Sequence, residues 1–290
     1  MITILDGGMG QELIARSTQE PSEMWSARVL MKEADLVTEV HADYIRAGAK
    51  VITINAYSAT PERLIKYGHG DKFAQLQQTA INCATKARDQ SGKDVEITGC
   101  LPPLFSSYNP ELNNNYDEAL AIYRQIVDVQ KDGVDILLAE TLGSLLEVRA
   151  AATAMQGCGK PIWISMSLSE DADTPSLRSG EPLQEALGLI SQIGADAILL
   201  NCSLPETISG AMETLQQCNV PFGAYANGFT AIQKLEMGDI VAEKFSKRTD
   251  LTPTGYADFA QSWVDMGATI IGGCCEVGPE HIAELSRRFS

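Results

Sequence analysis

Short runs of β-branched and aliphatic residues recur along the chain, each bounded by turn residues. Eight stand out: ITIL from Ile2, KVITIN from Lys50, VEITGC from Val95, VDILLAE from Val134, PIWISMS from Pro161, DAILLNC from Asp196, VPFGAYA from Val220 and ATIIGGC from Ala268. The stretches between them carry helical periodicity. EADLVTEVHADYIRAG places Leu36, Val37, Val40, Tyr44 and Ile45 on one face, and YDEALAIYRQIVDVQKDG does the same with Leu120, Tyr123, Ile126 and Val127. Both stretches end in glycine, as helix C-termini often do.

Runs such as DAILLNC and VDILLAE are apolar throughout rather than alternating, the mark of parallel strands covered on both faces. Strand and helix repeated eight times predict a (β/α)8 TIM barrel, an α/β fold with one domain over residues 1–290. The alternative is an open doubly wound sheet in which GGMGQEL forms the phosphate turn. That segment lacks the G-x-G-x-x-G spacing, and no acid matches it at the end of the next strand. Two connections, Leu101 to Tyr116 and Gly228 to Pro253, are long and follow strands, so they belong to the face where barrel enzymes bind substrate.

Composition narrows the function classes. A chain of 290 residues with 44% hydrophobic residues is long for an ordinary domain and normal for one barrel. Its 38 acidic against 22 basic residues give a formal charge of -16, a field that repels nucleic acid and anionic lipid surfaces. No basic leader with an apolar stretch opens the chain, and no uninterrupted apolar run reaches membrane-spanning length, so a soluble cytoplasmic protein is expected. Seven cysteines in a chain of this size point to free thiols or metal ligation rather than a disulfide framework.

In a barrel the C-terminal strand ends converge, so their residues can be pooled. Strand 1 ends in Asp6-Gly7-Gly8, strand 2 in Asn55 and Tyr57, strand 3 in Cys100 and strand 4 in Glu140-Thr141. Ser165 and Ser167 end strand 5, Asn201-Cys202-Ser203 strand 6, Tyr225 and Asn227 strand 7, and Cys274-Cys275 strand 8. Adjacent residues of a strand face opposite ways, so Cys274 and Cys275 reach one ion only where the strand has broken, a break that Gly272-Gly273 eases. With Cys202 they make three thiolates, a set that suits Zn²⁺ and leaves a fourth position open. Buried ordinary cysteines and a vicinal disulfide are the other readings, and Cys100 as a fourth ligand would close the site. Cys83, Cys158 and Cys218 read as packing or surface residues. Asp6 and Glu140 read either as local caps or as two acids at the barrel mouth that favour an ammonium group. No histidine ends a strand, which makes a histidine base or ligand unexpected.

Several of these segments resemble the homocysteine S-methyltransferases: ILDGGMGQEL, AGAKVITINAYSAT, GVDILLAETLGSLLEVRAA, PIWISMSL, SGEPLQEAL, AILLNCSLPETI, YANG and ATIIGGCCEVGPEHI. The pairing of NCS with a later GGCC is the most specific element. The resemblance implies the same barrel, Cys202, Cys274 and Cys275 as zinc ligands that activate the substrate thiol, and Asp6 and Glu140 around the homocysteine ammonium. It also implies backbone amides near Gly7 and Gly8 for the substrate carboxylate. Its activity would be methyl transfer to homocysteine from a small-molecule donor, S-methylmethionine or S-adenosylmethionine, giving methionine. The donor side departs from the family pattern. GCLPP stands where the family shows G-S-x-G-P, and INAY where it shows T-N-T-Y. Nothing after the barrel is expected to bind cobalamin or folate, so a homocysteine-activating module served by a separate cobalamin or folate protein is the alternative.

Overall fold

In a computed structural model of the chain, residues 2–236, 239 and 244–290 are described. Seven of the eight apolar runs contain a strand and the fourth, VDILLAE, is overrun by its strand by two residues: Thr3–Ile4 (β1), Val51–Thr53 (β2), Glu96–Thr98 (β3), Leu137–Leu142 (β4), Ile162–Met166 (β5), Ala197–Asn201 (β6), Phe222–Tyr225 (β7) and Ile270–Ile271 (β8). Helices fill the intervals: Met9–Arg16 (α1), Ser26–Lys32 (α2), Ala34–Ala47 (α3), Pro61–Lys66 (α4), Phe73–Ser91 (α5), Tyr116–Gln130 (α6), Leu145–Met155 (α7), Leu183–Ile193 (α8), Pro205–Leu215 (α9), Pro253–Asp265 (α10) and Pro279–Phe289 (α11).

All strand pairs are parallel. Six strands run in the order β1-β8-β7-β6-β5-β4, and β2 pairs with β3 in a second sheet. Single bridges join the two sheets at both seams, Leu5 to Val51 on one side and Thr98 to Ile136 and Leu101 to Ala139 on the other. The result is an α/β fold whose parallel sheet curves into a distorted barrel. Parallel pairing needs crossover connections, and the helices between strands supply them.

The continuously apolar runs serve two cores. Leu5, Val51, Leu138, Trp163, Leu199, Tyr225 and Ile270 pack together inside the curved sheet. Their strand neighbours Ile4, Ile52, Leu137, Ile164, Leu200, Ala224 and Ile271 face the helices. Alternation is hidden in the sequence because both faces are dry. Further along each strand the inward positions turn polar. Thr53, Thr98, Ser165 and Asn201 lie beyond the apolar inner layer, Ser165 and Asn201 wholly buried. Thr98 donates to Thr53 across the β2–β3 pair.

The helical faces hold with small differences. Helix α3 stops at Gly48, whose φ of 113° makes the left-handed cap, while Leu36 sits at the edge of the apolar face and is partly exposed. Helix α6 ends at Gln130, three residues before Gly133, so that glycine is not its cap. The long connection after β3 is tied to the helical layer by Tyr123, which donates to Pro102 O at 3.0 Å. It is also knitted to the connection after β7. Leu235 N donates to Ser107 O at 3.3 Å, and Asn109 Nδ2 donates to Leu235 O at 3.3 Å. Within the Gly228 to Pro253 connection, residues 237, 238 and 240–243 lie outside the described residues. Among the described residues no helix is long and apolar enough to cross a membrane.

Candidate active site

The three expected cysteines meet. Cys202 follows the last residue of β6 with φ 47°, an uncommon conformation for a non-glycine residue, and β8 ends at Ile271, three residues before Cys274. The strand has therefore broken where two adjacent cysteines require it. The glycines act differently from the sequence expectation: neither Gly272 nor Gly273 has positive φ, and the left-handed residue is Glu276 at 64°. Close approach is what demands them. A Cβ on Gly273 would stand 2.1 Å from Val277 Cγ1, and one on Gly272 2.5 Å from Leu5 Cβ. Gly8 is equally confined, because its Cβ would lie 2.6 Å from Cys274 O.

The sulfurs of Cys202, Cys274 and Cys275 all lie within 4.8 Å of one another. Cys202 and Cys274 are joined as a disulfide with Cα atoms 5.7 Å apart, and Cys275 is a free, buried thiol. Three thiolates at about 2.3 Å from a tetrahedral Zn²⁺ stand roughly 3.8 Å apart, so the residues fit that ion once the bond is reduced. Burial, with the charges of Glu276 and Glu140 adding to it, pushes the Cys275 thiol up to about 12. Such a group becomes a thiolate at neutral pH only beside a cation.

The two acids face the same cavity, which Asp6, Glu140, Cys202, Cys274 and Cys275 all line. Asp6 ends β1 and accepts a hydrogen bond from Thr53 N at 2.9 Å through Oδ2. Glu140 is not a helix cap. That task falls to Ser144, whose hydroxyl accepts from Glu147 N at 3.2 Å. A register shift between Ala139 and Leu142 puts one extra residue into β4 opposite β5, and Thr141 takes φ 62° there. Such a bulge re-aims a side chain. Burial raises the Asp6 carboxyl well above the usual range, and the Glu140 charge raises it further. Glu140 is also raised by burial, against hydrogen bonds from Cys100 and Tyr225. Two buried carboxyls that hinder each other's ionisation are relieved by a cation placed between them.

A family profile for homocysteine S-methyltransferase matches residues 3–289. The chain belongs to the homocysteine S-methyltransferase family. It is 30% identical to the homocysteine S-methyltransferase of Escherichia coli K12 over 99% of this chain and 95% of that one. It is 25% identical to a selenocysteine Se-methyltransferase of Brassica oleracea var. italica, over 99% and 88%. The metallated form of the homocysteine methyltransferase MmuM from E. coli superposes with a TM-score of 0.83 at 27% identity, covering 99% of this chain and 96% of that one. The likeness to a metallated member and the three-sulfur cluster together support Zn²⁺ binding at Cys202, Cys274 and Cys275.

Cys100 is not part of the metal cluster. It is buried and donates to Glu140 Oε1 at 3.0 Å, while its backbone N donates to Gln130 Oε1 at 2.9 Å. Burial and the Glu140 charge push its thiol well up, which keeps it a donor. Cys83, Cys158 and Cys218 lie away from the cavity as free cysteines. Of the two glycine amides named from the sequence, Gly8 N is already taken by Val277 O at 2.9 Å. Gly7 N has no hydrogen-bond partner among the described residues.

Other residues around the site were given no role from the sequence, although Asn201, Ser165, Ser167 and Tyr57 were pooled there as strand ends. Asn201 fastens three strands: its Oδ1 accepts from Thr141 N at 2.9 Å and Ser165 Oγ at 2.7 Å, and its Nδ2 donates to Thr141 Oγ1 at 2.8 Å. Arg178 donates to Ser167 Oγ at 2.7 Å and to Cys202 O at 3.3 Å, pairs with Glu170 at 2.9 Å, and stacks its guanidinium 4.7 Å from the Tyr108 ring centroid. An aromatic wall completes the cavity. Trp25 meets Tyr57 edge-on at 5.7 Å, Tyr57 shares a 2.9 Å hydrogen bond with Ser107, and Tyr108 stands beside them on the lining. Trp25 and Tyr108 have φ 45° and 61°. Residues held there store strain that the surrounding structure must offset.

Proposed function

We propose that the chain, acting as one (β/α)8 barrel over residues 1–290, transfers the methyl group of a small sulfonium donor to the thiol of homocysteine, giving methionine. Closure of the barrel is supported by the bridges at both seams of the two sheets. The single observation that carries the reaction is the meeting of the Cys202, Cys274 and Cys275 sulfurs with two buried acids in one cavity. Zn²⁺, when bound by the three cysteines, keeps the substrate sulfur as a thiolate at neutral pH.

The chain's own groups do the rest. Asp6 and Glu140 take the homocysteine ammonium, which offsets the repulsion between them. Gly7 N–H, left without a partner, donates to the substrate carboxylate, while Gly8 serves close packing against Cys274. Trp25, Tyr57 and Tyr108 offer ring faces to a sulfonium, with the carboxylates of Glu236 and Asp239 on the same lining. A bond forms from the homocysteine sulfur to the methyl carbon as the carbon–sulfonium bond breaks, and the donor leaves as a neutral thioether. Holding both sulfurs on one line through the methyl carbon is the cavity's contribution to rate.

The test is a donor panel with homocysteine as fixed acceptor. The reading expects methionine from S-methylmethionine or S-adenosylmethionine with zinc-loaded protein alone. Turnover that appears only after a methylcobalamin-bearing or folate-bearing protein is added would replace it with the activating-module reading.

A further inference from the structure

The cavity is acidic on one side and holds a single basic side chain among its described lining residues, Arg63 on α4. Arg63 is packed under the connection that carries Trp25. One guanidinium nitrogen donates to Glu23 O at 3.1 Å, and Arg63 forms no ion pair among the described residues. Burial lowers its pKa against the charge of the neighbouring Glu62, and the side chain is only partly exposed. A second donor on the same wall lacks a partner. Trp25 Nε1 is buried with no hydrogen bond, although a buried indole N–H ordinarily finds one. A guanidinium with one nitrogen committed to Glu23 O and an indole N–H without a partner, both on the cavity lining with Tyr57 and Ser107, describe a receptor for an anionic oxygen pair.

We infer that Arg63, with Trp25 Nε1, binds the α-carboxylate of the methyl donor, and that the donor is therefore an α-amino acid sulfonium. The assignment rests on the sulfonium reading above and adds the residue that recognises the carboxylate both of its donors carry. The guanidinium fork matches a carboxylate with two parallel hydrogen bonds. Homocysteine does not need it, because its carboxylate is assigned to Gly7 N–H and its ammonium to Asp6 and Glu140. The sulfonium carbon skeleton would lie between Arg63 and the aromatic rings, its methyl directed toward the cysteine cluster.

The experiment compares S-methylmethionine with its methyl ester, in which the carboxylate charge is masked, at saturating homocysteine. The ratio of kcat/KM for acid over ester should fall on the order of 30-fold in Arg63→Gln, the size of a lost charge-assisted pair, while the KM for homocysteine does not rise. Arg63→Lys keeps a point charge and should lose the ratio only several-fold; that variant also carries the comparison if Arg63→Gln does not fold. An equal loss with both donors, an unchanged ratio in both variants, or a raised homocysteine KM overturns the assignment. Wild-type protein that transfers from neither compound nor from S-adenosylmethionine overturns the sulfonium reading itself, an outcome distinct from the others.

Discussion

The Cys100 thiol donates to Glu140 Oε1 at 3.0 Å, so the cysteine that follows β3 holds an acid rather than a metal. Glu140 Oε2 accepts from the Tyr225 hydroxyl at 3.4 Å, which leaves the carboxylate fixed from two sides beside the sulfur cluster. If Glu140 binds the substrate ammonium, Cys100 is a positioning residue for it.

Cys100→Ala should therefore raise the KM for homocysteine about 3–10-fold, the loss of one hydrogen bond from a weak S–H donor, with zinc content unchanged. Cys100→Ser, which restores a donor of similar reach, should return the KM to near the wild-type value. Loss of zinc in the alanine variant would contradict the assignment.

The strand runs and the helical faces were readable because each rests on residue type and spacing alone, β-branched runs and period-3.6 faces; two thiols side by side after a glycine pair singled out the cysteines, and the family resemblance chose the metal reading among the alternatives. The bulge that turns Glu140 toward the cavity was not readable. It depends on Thr141 at φ 62°, and neither that residue nor Cys202, Trp25 or Tyr108 announces a left-handed backbone in its identity. Cys100 was ambiguous for a related reason. A strand-end cysteine looks the same as ligand or as donor until its neighbour on the adjoining strand is known. Asn201 looked like one polar strand end among several, and its grip on Thr141 and Ser165 exists only once β4, β5 and β6 lie side by side.

Asp6→Asn should weaken homocysteine binding on the order of tenfold or more while zinc is retained, since Asp6 lines the cavity but is no member of the sulfur cluster. Both acids have raised folded pKa values, so the pair gains negative charge late as pH rises. The KM for homocysteine should fall with rising pH through that raised range, and the dependence should flatten in the variant. Steady-state kinetics across pH check both statements.

Glu147 ties the connection after β3 to the end of β4. It is buried, accepts from Gly143 N at 2.8 Å and Asn113 Nδ2 at 3.3 Å, and burial raises its pKa to about 7. A carboxyl raised from its ordinary value of 4.5 holds its proton in the folded state where the unfolded chain has lost it. Its stabilising contribution is thus full below about pH 4.5 and is lost as pH rises to about 7, a change of up to about 3 kcal/mol. Glu147→Gln keeps the neutral form at all pH values and can donate to Asn113 once that amide turns. Denaturant unfolding should show the variant more stable than wild type at pH 8 and the difference shrinking toward pH 5; a constant difference would contradict the account.

Reduction should control metal uptake, because a sulfur in the Cys202–Cys274 disulfide is not a thiolate ligand. Unfolded without reductant, the disulfide form presents five free thiols, and after reduction all seven. Zinc added to the disulfide form should remain loosely held, and a dithiol reductant should bring uptake to one equivalent per chain, measured by thiol titration and metal analysis.

The central claim is that the three-cysteine site makes this chain a homocysteine methyltransferase. Its most direct test is methionine formation from homocysteine and S-methylmethionine, measured by mass spectrometry beside bound zinc in wild type and Cys202→Ala. The account predicts one zinc and sustained turnover in the wild type, and neither in a Cys202→Ala protein that keeps its fold, since Cys202 lies beyond the end of β6 rather than in the apolar core between sheet and helices. Wild-type rates in Cys202→Ala would contradict it.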